Sequence, residues 1–527
     1  MHSALFIAEL VDLIFGCLDP THSSKVDRRT LVALSATCKN FHEPALDALW
    51  RNQISLDNVL MCLPKNSFIP RRSASPVKLI ITRPLTSADW SIAAKFTHRV
   101  KDLYIDHLNC PHRLTLAAIA NFLGTTQPLF ANLRQLCWSV SSNDVATPSR
   151  HLSLFIGAQV SKINIQVYWE DIPRLRAFPC LATATHVNLW VEGFFDSEAG
   201  EDRGQSLLDV SDLAASLPAA RVLSLPSVNR NALVALASMP DLYSLTLSEP
   251  EIGDVGDPTI PMPLNGSLPF ARLSSLRLAP TRVDFAIQFL RIVEPAALQL
   301  EDIHVGFDAS ELGSRIATLL RLISRIPPHI LTEIHVGETD NGEGMYMPPE
   351  PVQLYALDGA ALTGLSRFTR LTRLTVQAPS GIQLEDEILW ELAPCWPQMQ
   401  YLQLMSGSPT QLVPRTTLAG LRALAKHCAA LEFVDLPVDA REVPSYPAER
   451  ISQLGLTMWD VRESPISDPA RVAAFLSGLF PNLKHVSNYF NDEGDISIEM
   501  WDQVKVLLPV FGSVREEEQH YSRTSTI

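Results

Sequence analysis

The chain has 527 residues, 46% of them hydrophobic and 19% charged, and 57 acidic against 43 basic side chains leave a net charge of −14. Such a surface repels phosphate backbones and anionic headgroups, and no Lys/Arg run offsets it locally, so nucleic acid and membrane are excluded as expected partners. The uncharged stretch 114–133 carries Asn121, Gly124, Gln127 and Pro128, which reads as a helix and a turn rather than a membrane span.

The N-terminal MHSALFIAELVDLIFG lacks a basic start and places Glu9 and Asp12 inside its apolar run, unlike a secretory signal. From Leu10 to Leu18 seven of nine residues are apolar. A helix apolar on most sides wants burial on two faces. A segment of ~60 residues has too little interior for both, so one face is left for the rest of the chain or for another protein. Asp27 is placed to cap a second helix carrying Leu31, Val32, Leu34 and Cys38, and Pro44 to open a third carrying Leu46, Leu49 and Trp50. Residues 1–60 are therefore expected to form a three-helix domain. Residues 64–76 hold three prolines, two adjacent arginines and three serines, so 61–76 reads as a connection.

From 77 onward a different pattern recurs: apolar-x-x-apolar-x-apolar. Val100-Lys-Asp-Leu103-Tyr-Ile105, Leu133-Arg-Gln-Leu136-Cys-Trp138, Leu242-Tyr-Ser-Leu245-Thr-Leu247, Leu273-Ser-Ser-Leu276-Arg-Leu278, Leu371-Thr-Arg-Leu374-Thr-Val376 and Leu431-Glu-Phe-Val434-Asp-Leu436 are clear copies. Weaker ones start at Val160, Ala184, Ala220, Leu300, Leu331, Met399, Ile451 and Leu483. Fourteen first positions from Val100 to Leu483 give thirteen intervals over 383 residues, about 29 each. The alternation suits a short strand with one buried face. Between strands, helical spacing appears at Thr115–Leu123, Leu207–Leu217, Asn231–Met239, Ser314–Arg325, Leu384–Leu392, Leu418–Ala430 and Ala470–Leu479. Such a unit cannot close its own apolar face, so successive units must stack, strands on the concave side and helices on the convex side. The pattern resembles the leucine-rich-repeat horseshoe, which implies an α/β solenoid over 77–511. Trp501, Val504 and Leu508 form an i, i+3, i+7 stripe that suits a capping helix or one more outer helix, and the polar tail 512–527 is expected to fray.

The runs FIAELVDLIFGCLD and LVALSATCKNFHEPALDALW, covering about residues 4–51, resemble an F-box, the helical motif that docks the Skp adaptor of cullin-RING ubiquitin ligases. The Ala45–Trp50 segment and the C-terminal WDQVKVLLPVF are similar in particular to the fungal F-box group. The family usually has proline before the first-helix glutamate, where this chain has Ala8 before Glu9. The resemblance implies Ile7, Leu10, Ile14, Leu18, Leu31, Leu34 and Trp50 as adaptor-facing or domain-core positions, two roles the sequence leaves unseparated. It further implies a substrate-recognition subunit whose partners are a Skp-type adaptor, through it cullin and a RING subunit, and a protein substrate. The alternative is an interaction scaffold that directs no ubiquitination.

In each strand the third and fifth positions face away from the core. Arg373, Tyr401 and Phe433 are successive third positions, the residue types enriched at binding hot spots, and are the expected substrate patch. At fifth positions His304 and His335 fall beside Asp302 and Glu333, which reads as a solvated polar face. His107, Cys110 and His112 read as a turn, and the acidic loops 192–203 and 338–350 as surface insertions with no calcium spacing. No phosphate loop, nucleophile elbow or metal-helix motif occurs, so no catalytic residue, cofactor or metal is expected. Eight scattered cysteines without a Cys-x-x-Cys pair suit reduced thiols in an intracellular protein, cytoplasmic or nuclear.

Overall fold

A computed structural model describes residues 8–18, 25–71, 78–124, 127–140, 148–192, 200–248, 269–293, 295, 298–307, 311–339, 350–407, 412–445, 451–488 and 496–524. Ile7 and most of the loops 192–203 and 338–350 lie outside them. The chain divides into two compact units, Met1–Leu242 and Tyr243–Ile527.

The first unit opens with three helices, α1 (Ala8–Gly16), α2 (Lys25–Ser35) and α3 (Lys39–Arg51). Val11, Phe15, Leu31, Phe41 and Ala45 form their core, with Phe15 edge-to-face on Phe41 at 5.4 Å. The third helix starts five residues before Pro44, which sits inside it, and Cys38 is its N-cap rather than part of α2. Pro44 is the sixth helical residue, past the first turn, so the helix forgoes there the bond an N–H would make to the Asn40 carbonyl.

The repeats begin directly after α3. Strand β1 (Asn52–Gln53) pairs parallel with β4 (Asp102–Asp106). Between them β2 (Phe68–Arg71) and β3 (Lys78–Ile81) form an antiparallel hairpin, so the stretch read as a connection contributes a strand. β5 (Gln135–Ser139), β6 (Lys162–Tyr168), β7 (His186–Glu192) and β8 (Val222–Leu225) extend the parallel sheet in chain order.

In the second unit the parallel strands are β9 (Ser244–Leu247), β10 (Ser275–Thr281), β11 (Asp302–Phe307) and β12 (Glu333–Glu338). A small separate pair, β13 (Leu357–Asp358) with β15 (Ile382–Gln383), flanks β14 (Arg373–Ala378) in sequence. β16 (Tyr401–Ser406), β17 (Phe433–Asp435), β18 (Met458–Asp460) and β19 (His485–Ser487) are the remaining parallel strands of this unit. The class is mixed α/β, and each unit is a leucine-rich-repeat-like stack.

Each of these strands from β4 on, apart from β13 and β15, starts at the third position of a repeat copy, because the apolar fourth and sixth positions must turn inward together. Leu273, Leu276 and Leu278 in one copy, and Leu371, Leu374 and Val376 in another, are completely buried. The second position locks neighbouring copies through the backbone. Thr332 N–H donates to the Glu301 carbonyl at 2.8 Å, and Thr372 N–H to that of Thr332 at 2.8 Å.

One copy lies elsewhere than its pattern indicated. The strand is Met458–Asp460, in the frame Leu456-Thr-Met-Trp459-Asp-Val461, not in the frame starting at Ile451. Gln453, read there as surface-facing, is buried; its Nε2 donates to the carbonyls of Cys428, Ala429 and Leu431, and its Oε1 accepts from Leu456 N–H at 2.8 Å. A buried amide in contact with four backbone groups is a structural clip.

The last helix, Ile496–Thr524, packs on the helix Pro469–Leu479 and on β19. Trp501, Val504 and Leu508 are its buried stripe, with Trp501 edge-to-face on Trp459 at 5.7 Å and its Nε1–H donating to the Ser464 carbonyl at 2.8 Å. It covers the final rung, as a repeat stack requires. The helix continues through Pro509 and Gly512 rather than fraying at 512, and Arg515 donates to Ser477 Oγ at 2.8 Å, which ties the extension back.

Candidate functional site

The first helix has one buried face and one exposed apolar face. Val11 and Phe15 are 2% and 4% exposed in the three-helix core, while Leu10, Leu13 and Ile14 are 38%, 68% and 49% exposed on the other face. Among the described residues nothing covers that second face. Of the other implied positions, Leu31 is fully buried, and Leu18 and Leu34 pack half-buried against the same core. Val11, Phe15 and Phe41 are core residues that the resemblance did not supply, and Leu13 is an outer residue missed although it lies at i+3 from Leu10.

Trp50 lies at the end of α3. It stacks on Phe96, 4.6 Å between centroids and 12° between planes, and so joins α3 to the repeats. Arg99 pairs with Glu43 and Asp47 of α3, Arg51 approaches Asp102 at 3.6 Å, and Lys101 N–H donates to the Arg51 carbonyl at 2.9 Å. The joint between helices and first rungs is therefore a packed, hydrogen-bonded one.

In the second unit Arg373, Tyr401 and Phe433 stand in register on β14, β16 and β17. The Arg373 guanidinium carbon lies 4.4 Å from the Tyr401 ring centre, and Tyr401 and Phe433 are 6.2 Å apart. Met458 follows in register on β18 and His485 on β19, both exposed, so the patch runs over five strands. Met458 was hidden by the shifted copy. Glu333 approaches Arg373 at 3.5 Å, and the Tyr401 hydroxyl donates to Glu432 at 3.5 Å.

On the fifth-position row of the same face, Asp435 and Asp460 oppose each other in register, both buried. Like charges directly opposite are destabilising. Arg462 offsets them, its Nη2 donating to Asp435 at 2.7 Å and its Nε lying 3.9 Å from Asp460. Its backbone N–H also donates to Asp460 at 3.0 Å from a left-handed conformation, φ 51°. Burial, and then the neighbouring Asp435, raise the Asp460 carboxyl above the usual carboxylate range.

At the end of β12 the Glu338 carboxyl has a buried oxygen without a hydrogen-bond partner, and burial pushes the group up to about 7. A Cβ on Gly407 would lie 1.8 Å from that oxygen, so only glycine lets the carboxyl approach. With the folded value raised above the ordinary 4.5, the neutral acid is favoured in the fold and stability falls as pH rises from there through 7. Glu338→Gln is expected to add about 2 kcal/mol at pH 8 and close to nothing at pH 4, at ~1.4 kcal/mol per pH unit discounted for partial exposure. Urea midpoints of both proteins at the two pH values check it.

His112 caps the helix Arg113–Leu123, its ring nitrogen accepting from Leu114 N–H at 3.3 Å, and Cys110 is buried. Among the described residues no group of three or more His, Cys, Asp or Glu is placed to hold a metal ion, and no helix is long and apolar enough to cross a membrane.

No family model matches the chain, and no curated protein matches it. Among solved structures, the crystal structure of a Rad7 and Elc1 complex in yeast is similar over 86% of this chain and 93% of that chain, at 13% identity and a TM-score of 0.37.

Proposed function

We propose that this chain is a non-catalytic substrate receptor of a cullin-RING ubiquitin ligase. In this reading the outer face of α1 docks a Skp-type adaptor, the open strand face of the repeats holds a protein substrate, and ubiquitin transfer is performed by other subunits through proximity. The observation that carries it is the split of α1 into a buried face and an uncovered apolar face, in a segment whose sequence resembles an F-box. An uncovered Leu-Leu-Ile face is costly in water, and burial against a partner recovers that cost. The packed joint at Trp50 and Arg99 suits such a receptor, because it fixes how the docking helix is presented by the first rungs.

Arg373, Tyr401, Phe433 and Met458 supply a cation–aromatic–thioether stripe as the substrate contact. Tyr401→Ala and Phe433→Ala are each expected to weaken substrate capture tenfold or more, about 1.4 kcal/mol or above. Leu354→Ala, an exposed apolar residue off this face, leaves capture unchanged. The readout is the set of proteins whose ubiquitination depends on this chain, compared between wild type and variants. A full set retained by both aromatic variants removes the stripe from the reading. The scaffold alternative shares every one of these parts and differs in one observable, the absence of cullin and the RING subunit from the adaptor-bound complex.

A further inference from the structure

On the fifth-position row of the second unit, Arg277, His304 and His335 stand in register on β10, β11 and β12. The two imidazoles stack face to face, 4.0 Å between centroids and 1° between planes. Burial first, then the neighbouring cationic groups, hold His304 down at about 3 and His335 at about 4, so at neutral pH each ring is uncharged, with one N–H donor and one acceptor nitrogen. Neither ring makes a hydrogen bond with the described residues. Arg277 is exposed, and no described carboxylate comes within ion-pair distance of it.

The two acids beside this row are already engaged. Asp302 accepts from Ser275 Oγ at 2.8 Å, and Glu333 is turned to Arg373. Glu338, at the end of β12, is held toward its neutral form by burial. What remains without a hydrogen-bond partner among the described residues is a guanidinium, whose charge also acts on Asp302, and two ring N–H groups, on three neighbouring strands about 4.8 Å from one to the next.

We propose that Arg277, His304 and His335 form an oxyanion-binding site, its ligand a phosphoryl or carboxylate group. Guanidinium offers the paired charged donors that match such groups, and the two half-buried ring N–H groups beside it add neutral donors in a setting less polar than open water. The site stands on its own geometry and is independent of the ligase reading.

Calorimetric titration of the full chain at constant ionic strength, with sulfate as a stand-in for a phosphoryl group and with acetate, tests it. Arg277→Gln and the double variant His304→Phe, His335→Phe, which keeps the stacked rings without their nitrogens, accompany the wild type. Saturable binding that falls at least tenfold in both variants is expected, with unchanged thermal midpoints in the absence of anion. Sulfate saturation identifies the phosphoryl class; acetate saturation without sulfate identifies the carboxylate class. No saturation with either anion, or equal binding by wild type and Arg277→Gln, overturns the site.

Discussion

Replacing Leu10 and Ile14 by lysine is expected to abolish capture of a Skp-type adaptor while leaving the three-helix unit folded. Both side chains are well exposed, and lysine and leucine have nearly equal helix propensity, so the monomer loses little. In a complex the part of each side chain still exposed, 38% for Leu10 and 49% for Ile14, is buried for about 1 kcal/mol apiece, and each lysine adds several kcal/mol for desolvating an unpaired charge. The sum exceeds about 4 kcal/mol, a factor of roughly 1,000 in affinity. Leu31→Ala is the contrasting variant. Leu31 is fully buried in the core, and its truncation costs about 2–5 kcal/mol of stability, seen as lost helical signal in circular dichroism before any effect on binding is read. Adaptor affinity measured by calorimetry beside that signal separates the two faces of α1.

The second large effect belongs to Arg462. Arg462→Met keeps an apolar stem in the same left-handed backbone but removes the charge between Asp435 and Asp460. Breaking a buried pair from one side typically costs ~3–5 kcal/mol, because the remaining charge is left uncompensated. Here two carboxylates in register are left, so the upper part of that range is expected at pH 7. The Asp460 carboxyl is already raised, and it becomes neutral as pH falls, so the penalty shrinks toward low pH. Urea unfolding midpoints of wild type and variant at pH 7 and pH 4 test both the size and the sign. Arg462→Met with wild-type midpoints at pH 7 would show that the trio contributes nothing.

The repeats were legible because two inward positions per strand have to be apolar, which writes the strand into the sequence. Where a second frame shares a residue, that rule fails. Ile451, Leu454 and Leu456 fit the pattern, and so do Leu456, Trp459 and Val461. Only spacing separates them: the first frame starts 20 residues after Leu431 and the second 25, which leaves room for the returning chain that Gln453 pins. β1 left no apolar trace, since Asn52 and Gln53 are both polar and the strand exists through its backbone pairing with β4. The helix Val283–Val293 was missed although its sequence carries the signal: Asp284, Gln288 and Arg291 at i, i+4 and i+7 form a polar stripe against seven buried residues.

At the candidate sites sequence spacing gave neighbours but not orientation. Arg373, Tyr401 and Phe433 could be stacked on paper because one register relates all copies. The division of α1 could not, since Leu10, Val11, Ile14 and Phe15 are equally apolar and only the positions of Leu31, Phe41 and Ala45 decide which pair turns inward. Trp50 shows the same limit: an aromatic residue closing a helical motif serves adaptor, core or joint equally well until Phe96 is placed against it.

The most direct measurement is reconstitution of the full chain with a Skp-type adaptor, cullin and RING subunit, followed by size-exclusion chromatography. The account predicts one species containing all four, and its loss when Leu10 and Ile14 are lysine. Adaptor bound without cullin and RING would leave a scaffold in place of a ligase receptor, and no adaptor binding by the folded wild type would contradict the central claim and make α1 to α3 a cap on the first rungs.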